Sequence, residues 1–437
     1  MEIISDLHIH SKHSRATSKN LDLENLEKYA RIKGINLLGT GDFQHPIWIK
    51  ELKEKLTEDG SGILKTKTGF NFLLQTEISN IYSQGGKGRR IHNLIFAPNF
   101  DIANQIIEAL GKKGRLDYDG RPIFGFNCIE LIEMMRSISD DIEIIPAHIW
   151  TPWFSLFGSM SGFNTVEECF GESTKHIHAL ETGLSSDPSM NWRLSQLDKY
   201  NLVSFSDSHS FWPWRIGREA TIFDLKKFTY KDLITALREK NGLKETIEVD
   251  PNFGKYHFTG HRNCNISLEP KESLKTNNIC TSCKKPLTVG VLQRVEELAD
   301  RDTGFKPKGS QEFKSILPLA ELLSATIGNS VASKSVLSEY YKIVKNTDEF
   351  DILLRKPHEE LAKITDEKIA DVIIKNREGT LKVIPGYDGV YGQLVIDGKT
   401  ISADDDEKKD YNQKSGENPE SKKKLYQPTQ KSLDQYW

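Results

Sequence analysis

The chain has 437 residues, 37% hydrophobic and 28% charged, with a formal net charge of -3. At roughly 150 residues per domain this length allows about three domains with a substantial core, and the near-neutral balance excludes binding of polyanions through bulk charge, so any nucleic-acid contact must come from local basic patches. No apolar run approaches the ~20 residues of a membrane span, the opening MEIISDLHIH lacks a signal-peptide pattern, and five cysteines, an odd number, do not make a disulfide framework; a soluble cytosolic protein that does not engage a membrane is expected.

From residue 1 to about 250, short apolar strands alternate with amphipathic helical runs such as LDLENLEKYARIKG and ELIEMMRSIS. The first strand candidate, EIISDLHIH, carries Asp6, His8 and His10 at period two, which puts them on one face. INLLGTGD ends in Asp42, with His45 just beyond; FNFLLQTEIS holds Glu77 and RIHNLIFA holds His92. IEIIPAHI brings His148, HIHALETG follows, and LVSFSDSH closes with Asp207 and His209. Strand–helix alternation at this spacing argues for an α/β parallel sheet or barrel, and barrels gather their chemistry at the C-terminal ends of the strands.

Nine N/O donors at strand ends (His8, His10, Asp42, His45, Glu77, His92, His148, Asp207 and His209), with no cysteine among them, suit divalent Zn, Mn, Fe or Mg. One ion takes only about four to six ligands, so the set implies a cluster of two or three ions, the arrangement that activates water and clamps a phosphoryl oxygen. No Ser/His/Asp triad competes, and SQGGKGRR lacks the Lys-Ser/Thr of a phosphate-cradling loop. The order HxH, Asp/His, Glu, His, His, DxH resembles the PHP family (polymerase and histidinol phosphatase) over about residues 1–220. The family usually has Asp and His adjacent after the second strand, whereas here Asp42-Phe-Gln-His45 separates them. The resemblance implies a distorted (β/α)7 barrel and up to three metals. It also implies that Glu77 bridges two of them, that hydroxide is the nucleophile, and that His8, His10, Glu77, Asp207 and His209 are the catalytic set.

Residues 251–300 read as a small zinc module. His261 and Cys264 form one knuckle, Cys280 and Cys283 another, with fifteen residues between; two such pairs supply tetrahedral ligands for one structural zinc. His257 is an alternative to His261. Residues 301–400 read as a mainly helical domain, in which TDEKIADVIIKNREG has Thr365 as N-cap, Asp366 and Glu367 in its first turn and Gly379 past its end. The charged stretch 401–429 has little to bury and reads as a disordered linker. In the final peptide 430–437, Gln430, Leu433 and Tyr436 recur every third residue beside Trp437, one face of a 3₁₀ turn. QKSLDQYW resembles a PIP box, which implies docking on a PCNA-type sliding clamp and an archaeal or eukaryotic-like replication system, with the archaeal cytosol and nucleoid as the location.

Two glycine-flanked basic loops, with Lys87, Arg89 and Arg90 in one and Lys112, Lys113 and Arg115 in the other, either meet DNA phosphates or are simply solvated. Trp150, Trp153, Trp212 and Trp214 directly follow expected ligands. They either stack on bases, worth ~1–3 kcal/mol each, or pack the barrel mouth. TGDFQHP, ALETGLSSDPSMNWRLSQLD, LVSFSDSHS, GHRNC and VGVLQRVEELADR resemble the endonuclease Q family over about residues 1–301. That resemblance implies a DNA repair endonuclease that cuts 5′ of a deaminated base (hypoxanthine, uracil, xanthine) or an abasic site. The lesion would be everted and metal hydroxide would attack, leaving a 3′-hydroxyl and a 5′-phosphate. A small-molecule phosphomonoesterase has no use for the zinc module or the terminal peptide, and a non-catalytic clamp-bound scaffold has no use for nine intact ligands; the protein is expected to be monomeric on its own.

Overall fold

A computed structural model describes residues 1–396 and the backbone of strand Lys399–Ser402; the linker and terminal peptide expected at 401–437 lie outside the described residues, apart from the backbone of 401–402. Each of the seven strand candidates forms: Glu2–Asp6, Leu37–Gly39, Asn71–Gln84, Lys87–Ala97, Glu143–Pro146, Ala179–Glu181 and Asn201–Val203. They run in a ring. The first five are joined by strand pairing in that order, Ile149 N–H donates to Glu181 O at 3.0 Å, Ala179–Glu181 pairs parallel with Asn201–Val203, and a parallel bridge from Ser208 to Ile9 returns to the start.

Alternation along these strands builds the interior. Ile3, Leu37, Leu73, Leu94, Ile145, Ala179 and Val203, one from each strand, join a single buried cluster. The helix Tyr230–Glu239 adds Tyr230, Leu233 and Leu237 to it. His92 and Glu77 share the faces of Leu94 and Leu73, an even number of residues away, so the polar centre stands on this apolar layer.

The ring departs from an all-parallel sheet at one strand. Lys87–Ala97 is antiparallel to both neighbours, because a two-residue turn, Gly85-Gly86, with φ of 62° and 74°, makes it the return arm of a hairpin. Lys87, Arg89 and Arg90, expected on a loop, are therefore strand residues. Beyond the ring the sheet continues through Ala220–Asp224, Leu243–Glu248 and Glu312–Ser315.

The expected helical region holds five helices, Leu319–Ile327, Lys334–Ile343, Glu349–Leu354, His358–Ile364 and Glu367–Arg377. Two of its segments are not helical: Glu312–Ser315 pairs with the barrel sheet, and Lys382–Ile384, Gln393–Ile396 and Lys399–Ser402 make a three-stranded antiparallel sheet. The last helix is capped by Asp366, which accepts from Lys368 N–H at 2.9 Å, rather than by Thr365, which ends the helix before it. Met1–Ala403 forms one unit, and among the described residues no helix is long and apolar enough to cross a membrane.

Candidate metal centre

Local sequence explains why polar groups meet on top of the barrel. The backbone turns sharply where strands give way to loops, and Asp42, His148 and Asp207 all have left-handed φ, at 44°, 30° and 47°. Asp and His tolerate that region better than most residues, and such strain gathers at functional sites. Gly183 is needed beside one of them: its own φ is 63°, and a Cβ there would press on His148 at 2.6 Å.

Glu77 stands at the middle with its two oxygens facing different partners. His8, His10, Glu77 and Asp207 offer ligand atoms that all lie within 4.8 Å of one another. Glu77 Oε2 is 3.5 Å from His8 Nε2 and 3.2 Å from His10 Nε2, and Asp207 Oδ1 is 3.3 Å and 3.1 Å from the same two nitrogens. On the other side Glu77 Oε1 lies 2.6 Å from His92 Nδ1 and 3.2 Å from His148 Nε2, and Glu77, His92 and His148 form a second such group. One carboxylate thus belongs to two ligand sets.

The residues fit divalent cations. His8 Nε2 is buried without a hydrogen-bond partner and points into the first set. Among the described residues, four buried or half-buried carboxylates, Asp42, Glu77, Glu181 and Asp207, crowd the centre, against one fixed cation, Arg121, whose Nη1 lies 3.0 Å from Glu77 Oε2. Burial alone would raise the Asp207 carboxyl, yet His8 and His10 beside it hold it well below its ordinary value. Burial pushes His92 down to about 3, so its ring is neutral and able to bind a metal.

Asp42 was expected as a ligand, but the structure sets it behind one. Its Oδ1 meets His10 Nδ1 at 3.1 Å, and its Oδ2 accepts from Ser11 N–H, Ser11 Oγ and Ser14 Oγ at 2.7, 2.7 and 2.9 Å. Both oxygens are engaged, and Asp42 fixes the tautomer that leaves His10 Nε2 for the centre. His45 is also outside the two sets; it precedes the helix Pro46–Lys55 at the N-cap position, without a side-chain capping bond, and its ring stacks on His13 with centroids 4.2 Å apart. His209 is at the border, its ring 4.3 Å from that of His10 and its Nε2 3.6 Å from Asp207 Oδ1.

Sequence reading missed Glu181 and Arg121. Glu181 meets His8 Nδ1 at 2.9 Å and accepts His148 N–H at 2.6 Å, doing for His8 what Asp42 does for His10. Its signal was available, a strand-end acid in ALETG placed like Glu77 in LLQTE. Arg121 comes from an irregular segment with no period to reveal it.

Away from the barrel top, His261, Cys264, Cys280 and Cys283 converge to within 4.8 Å, with Cys283 Sγ 3.3 Å from His261 Nδ1. Backbone N–H groups, that of Cys283 foremost, draw the Cys280 thiol down to about 6, towards the thiolate a metal requires. His257 is not part of this group and stacks on Phe258. Among the residues considered for DNA, Arg89 is bonded to Gly162 O and lies 4.0 Å over the Phe163 ring, while Lys113 and Arg115 pair with Glu130 and Asp117. Trp212 and Trp214 stack on each other at 5.1 Å; Trp214 and Trp150 are core residues, whereas Trp153 packs edge-on to Tyr256.

The seven-strand ring and the shared-carboxylate centre define the PHP class of metal-centred barrels. Residues 318–380 match the MJ0043 C-terminal domain family. The uncharacterized protein MJ0043 of Methanocaldococcus jannaschii is 29% identical over 302 residues, 67% of this chain and 36% of its own, so this chain spans about a third of that relative's length. The uncharacterized protein YqxK of Bacillus subtilis is 30% identical over 413 residues, 90% of this chain and 99% of its own. The structure of PfuEndoQ, a lesion-specific endonuclease from Pyrococcus furiosus, superposes with a TM-score of 0.81 at 30% identity, covering 91% of this chain and 96% of that one. An endonuclease Q complex with a 27-mer duplex substrate bearing an abasic lesion at the active site gives a TM-score of 0.82 at 30% identity over 91% and 97%. The chain belongs to the endonuclease Q family.

Proposed function

We propose that this protein is a metal-dependent, lesion-specific DNA endonuclease that cuts the phosphodiester 5′ of a deaminated base or an abasic site. The observation that supports this reading best is the pair of ligand sets sharing Glu77, carried by a chain whose fold follows endonuclease Q along nearly its whole length. His8, His10, Glu77 and Asp207 hold one divalent ion, and Glu77, His92 and His148 hold a second. His209 lies against the first set and is the donor available to a third. The chemistry such ions supply when bound is activation of water and neutralisation of charge developing on phosphorus. The chain's own residues orient the donors: Glu181 and Asp42 fix the imidazoles of His8 and His10. The buried apolar layer beneath closes the barrel under the site. In the reaction one water is consumed, its oxygen bonding to phosphorus as the bond to the 3′ oxygen breaks; the 3′ oxygen leaves as a hydroxyl and the phosphate stays on the 5′ side of the lesion.

His261, Cys264, Cys280 and Cys283 hold a structural zinc. Gln430, Leu433, Tyr436 and Trp437 dock on a PCNA-type clamp. A nicking assay on labelled duplexes with one hypoxanthine, uracil or abasic site, with Mn²⁺ or Mg²⁺, tests the main reading. Expected is a single metal-dependent cut 5′ of the lesion, absent with chelator or undamaged DNA. Turnover of small phosphomonoesters with no cut on any lesion would overturn it.

A further inference from the structure

Arg121 places a guanidinium in the metal centre that the ligand sets do not need. Its side chain, about a third exposed, pairs with the fully buried Glu77 through Nη1 and Oε2 at 3.0 Å. That oxygen is the one facing His8 and His10. A cation seated among His8, His10 and Asp207 claims the same oxygen, and two positive groups on one carboxylate oxygen repel. The other acids whose charge reaches Arg121 are Asp207 and Asp119. Asp207 belongs to the ligand set. Asp119 is already engaged: its Oδ1 accepts the backbone N–H of Arg15 and of Arg121, both at 3.2 Å, and its Oδ2 lies 3.2 Å from the Arg15 guanidinium.

The segment that delivers Arg121 is built to hold its place. Gly120 N–H donates to His13 O at 3.0 Å, and Ser79 N–H to Pro122 O at 3.1 Å. Gly120 O accepts Gln44 Nε2 at 2.6 Å. A Cβ at position 120 would collide with Asp42 and Ser14, so only glycine lets the backbone come this close to the centre. A loop pinned by three hydrogen bonds beside the ligands and carrying a forked cation is suited to an anion that arrives with the substrate.

We propose that Arg121 is a catalytic residue that holds the scissile phosphate, its guanidinium passing from Glu77 to a non-bridging phosphoryl oxygen once cations fill the two ligand sets. This rests on the endonuclease reading for the substrate, but phosphate itself is a probe that does not depend on it. The test compares wild type, Arg121→Ala and Arg121→Lys, each loaded with Mn²⁺ and assayed for bound metal by mass spectrometry. Calorimetric titration with inorganic phosphate is expected to show binding about 10–100-fold weaker in Arg121→Ala, the worth of charge-assisted hydrogen bonds, at unchanged metal content. On a lesion duplex kcat is expected to fall about 10²–10³-fold, to recover in part with added guanidinium ion, and to be intermediate for Arg121→Lys, which keeps charge and fold but not the fork. Wild-type phosphate affinity in metal-loaded Arg121→Ala, or loss of metal from both variants, would overturn the proposal and make Arg121 a clamp on Glu77. If wild type nicks no lesion duplex, the endonuclease reading falls while the phosphate titration still decides on Arg121.

Discussion

Two imidazoles of the centre are each held from behind by a carboxylate outside the ligand sets. Glu181 engages His8 Nδ1 and Asp42 engages His10 Nδ1, leaving each Nε2 for a cation. Such outer partners typically contribute 10–100-fold in metal affinity or activity. Glu181→Gln and Asp42→Asn are therefore each expected to weaken metal binding by about that factor, read by chelator competition, while wild-type affinity in both would show that orientation adds nothing here. The sequence displays His8 and His10 because strand alternation puts them two apart, but it does not separate a ligating aspartate from one that holds an imidazole. Both kinds end a strand, so Asp42 reads as a ligand until its four donors are seen. Another buried acid ends the strand Leu243–Glu248. Glu248 accepts from Thr246, Thr182 and Ser204 hydroxyls, and burial foremost raises its carboxyl from 4.5 to about 8. Between those values the folded state keeps a proton that the unfolded state has released, so stability falls as pH rises through this window. The metal-loaded protein is expected to lose Tm between pH 5 and 8. Glu248→Gln, which keeps an acceptor for the hydroxyls, is expected to flatten that decline; an unchanged slope in the variant would assign the pH dependence elsewhere.

At the scale of elements, turns decide what periodicity leaves open. The strand candidates around Glu77 and His92 are both legible as apolar runs, but whether they run parallel is set by Gly85-Gly86, whose positive φ values make a tight hairpin. The glycines that read as flanking a basic loop, either DNA-contacting or simply solvated, serve this turn. The His261/Cys264/Cys280/Cys283 group is the opposite case, since knuckle spacing favoured the four residues that the fold brings together and left only His257 as an alternative to one of them. Thr259–His261 buries two residues but Ile266–Leu268 none, so metal binding is expected to contribute to the folding of this small segment. Cys280→Ala is expected to lose the zinc and deprotect the amides of this module in hydrogen exchange while barrel amides stay protected. Retained protection around residues 259–288 after the zinc is gone would show that packing against the helix Val291–Leu298 suffices without it.

For the whole molecule, the linkage between barrel and helical region includes a contact that no local pattern announces. Lys33 closes a barrel helix, Glu349 opens a helix over three hundred residues later, and their side chains pair at 2.7 Å with 1% and 0% exposed. Glu349 also accepts Leu319 N–H at 2.9 Å and Tyr340 Oη–H at 2.7 Å, and Lys33 also donates to Pro213 O at 2.8 Å. The pair thus ties the helical region to the loop that follows Asp207 and His209 and carries the Trp212–Trp214 stack. Breaking a buried pair by removing one partner leaves an uncompensated charge and costs about 3–5 kcal/mol, whereas replacing both by apolar groups of similar volume is often neutral. Lys33→Met and Glu349→Leu are each expected to lower stability by about that amount, the glutamate variant more, because it strands three donors where the lysine variant strands one acid and the Pro213 carbonyl. The double variant is expected to recover part of the loss in denaturant unfolding, and a loss equal to the sum of the singles would show that the two sites are uncoupled. If the pair also positions the Pro213 loop, the double variant will regain stability without regaining full nicking rate, since Lys33 Nζ then no longer holds the Pro213 carbonyl.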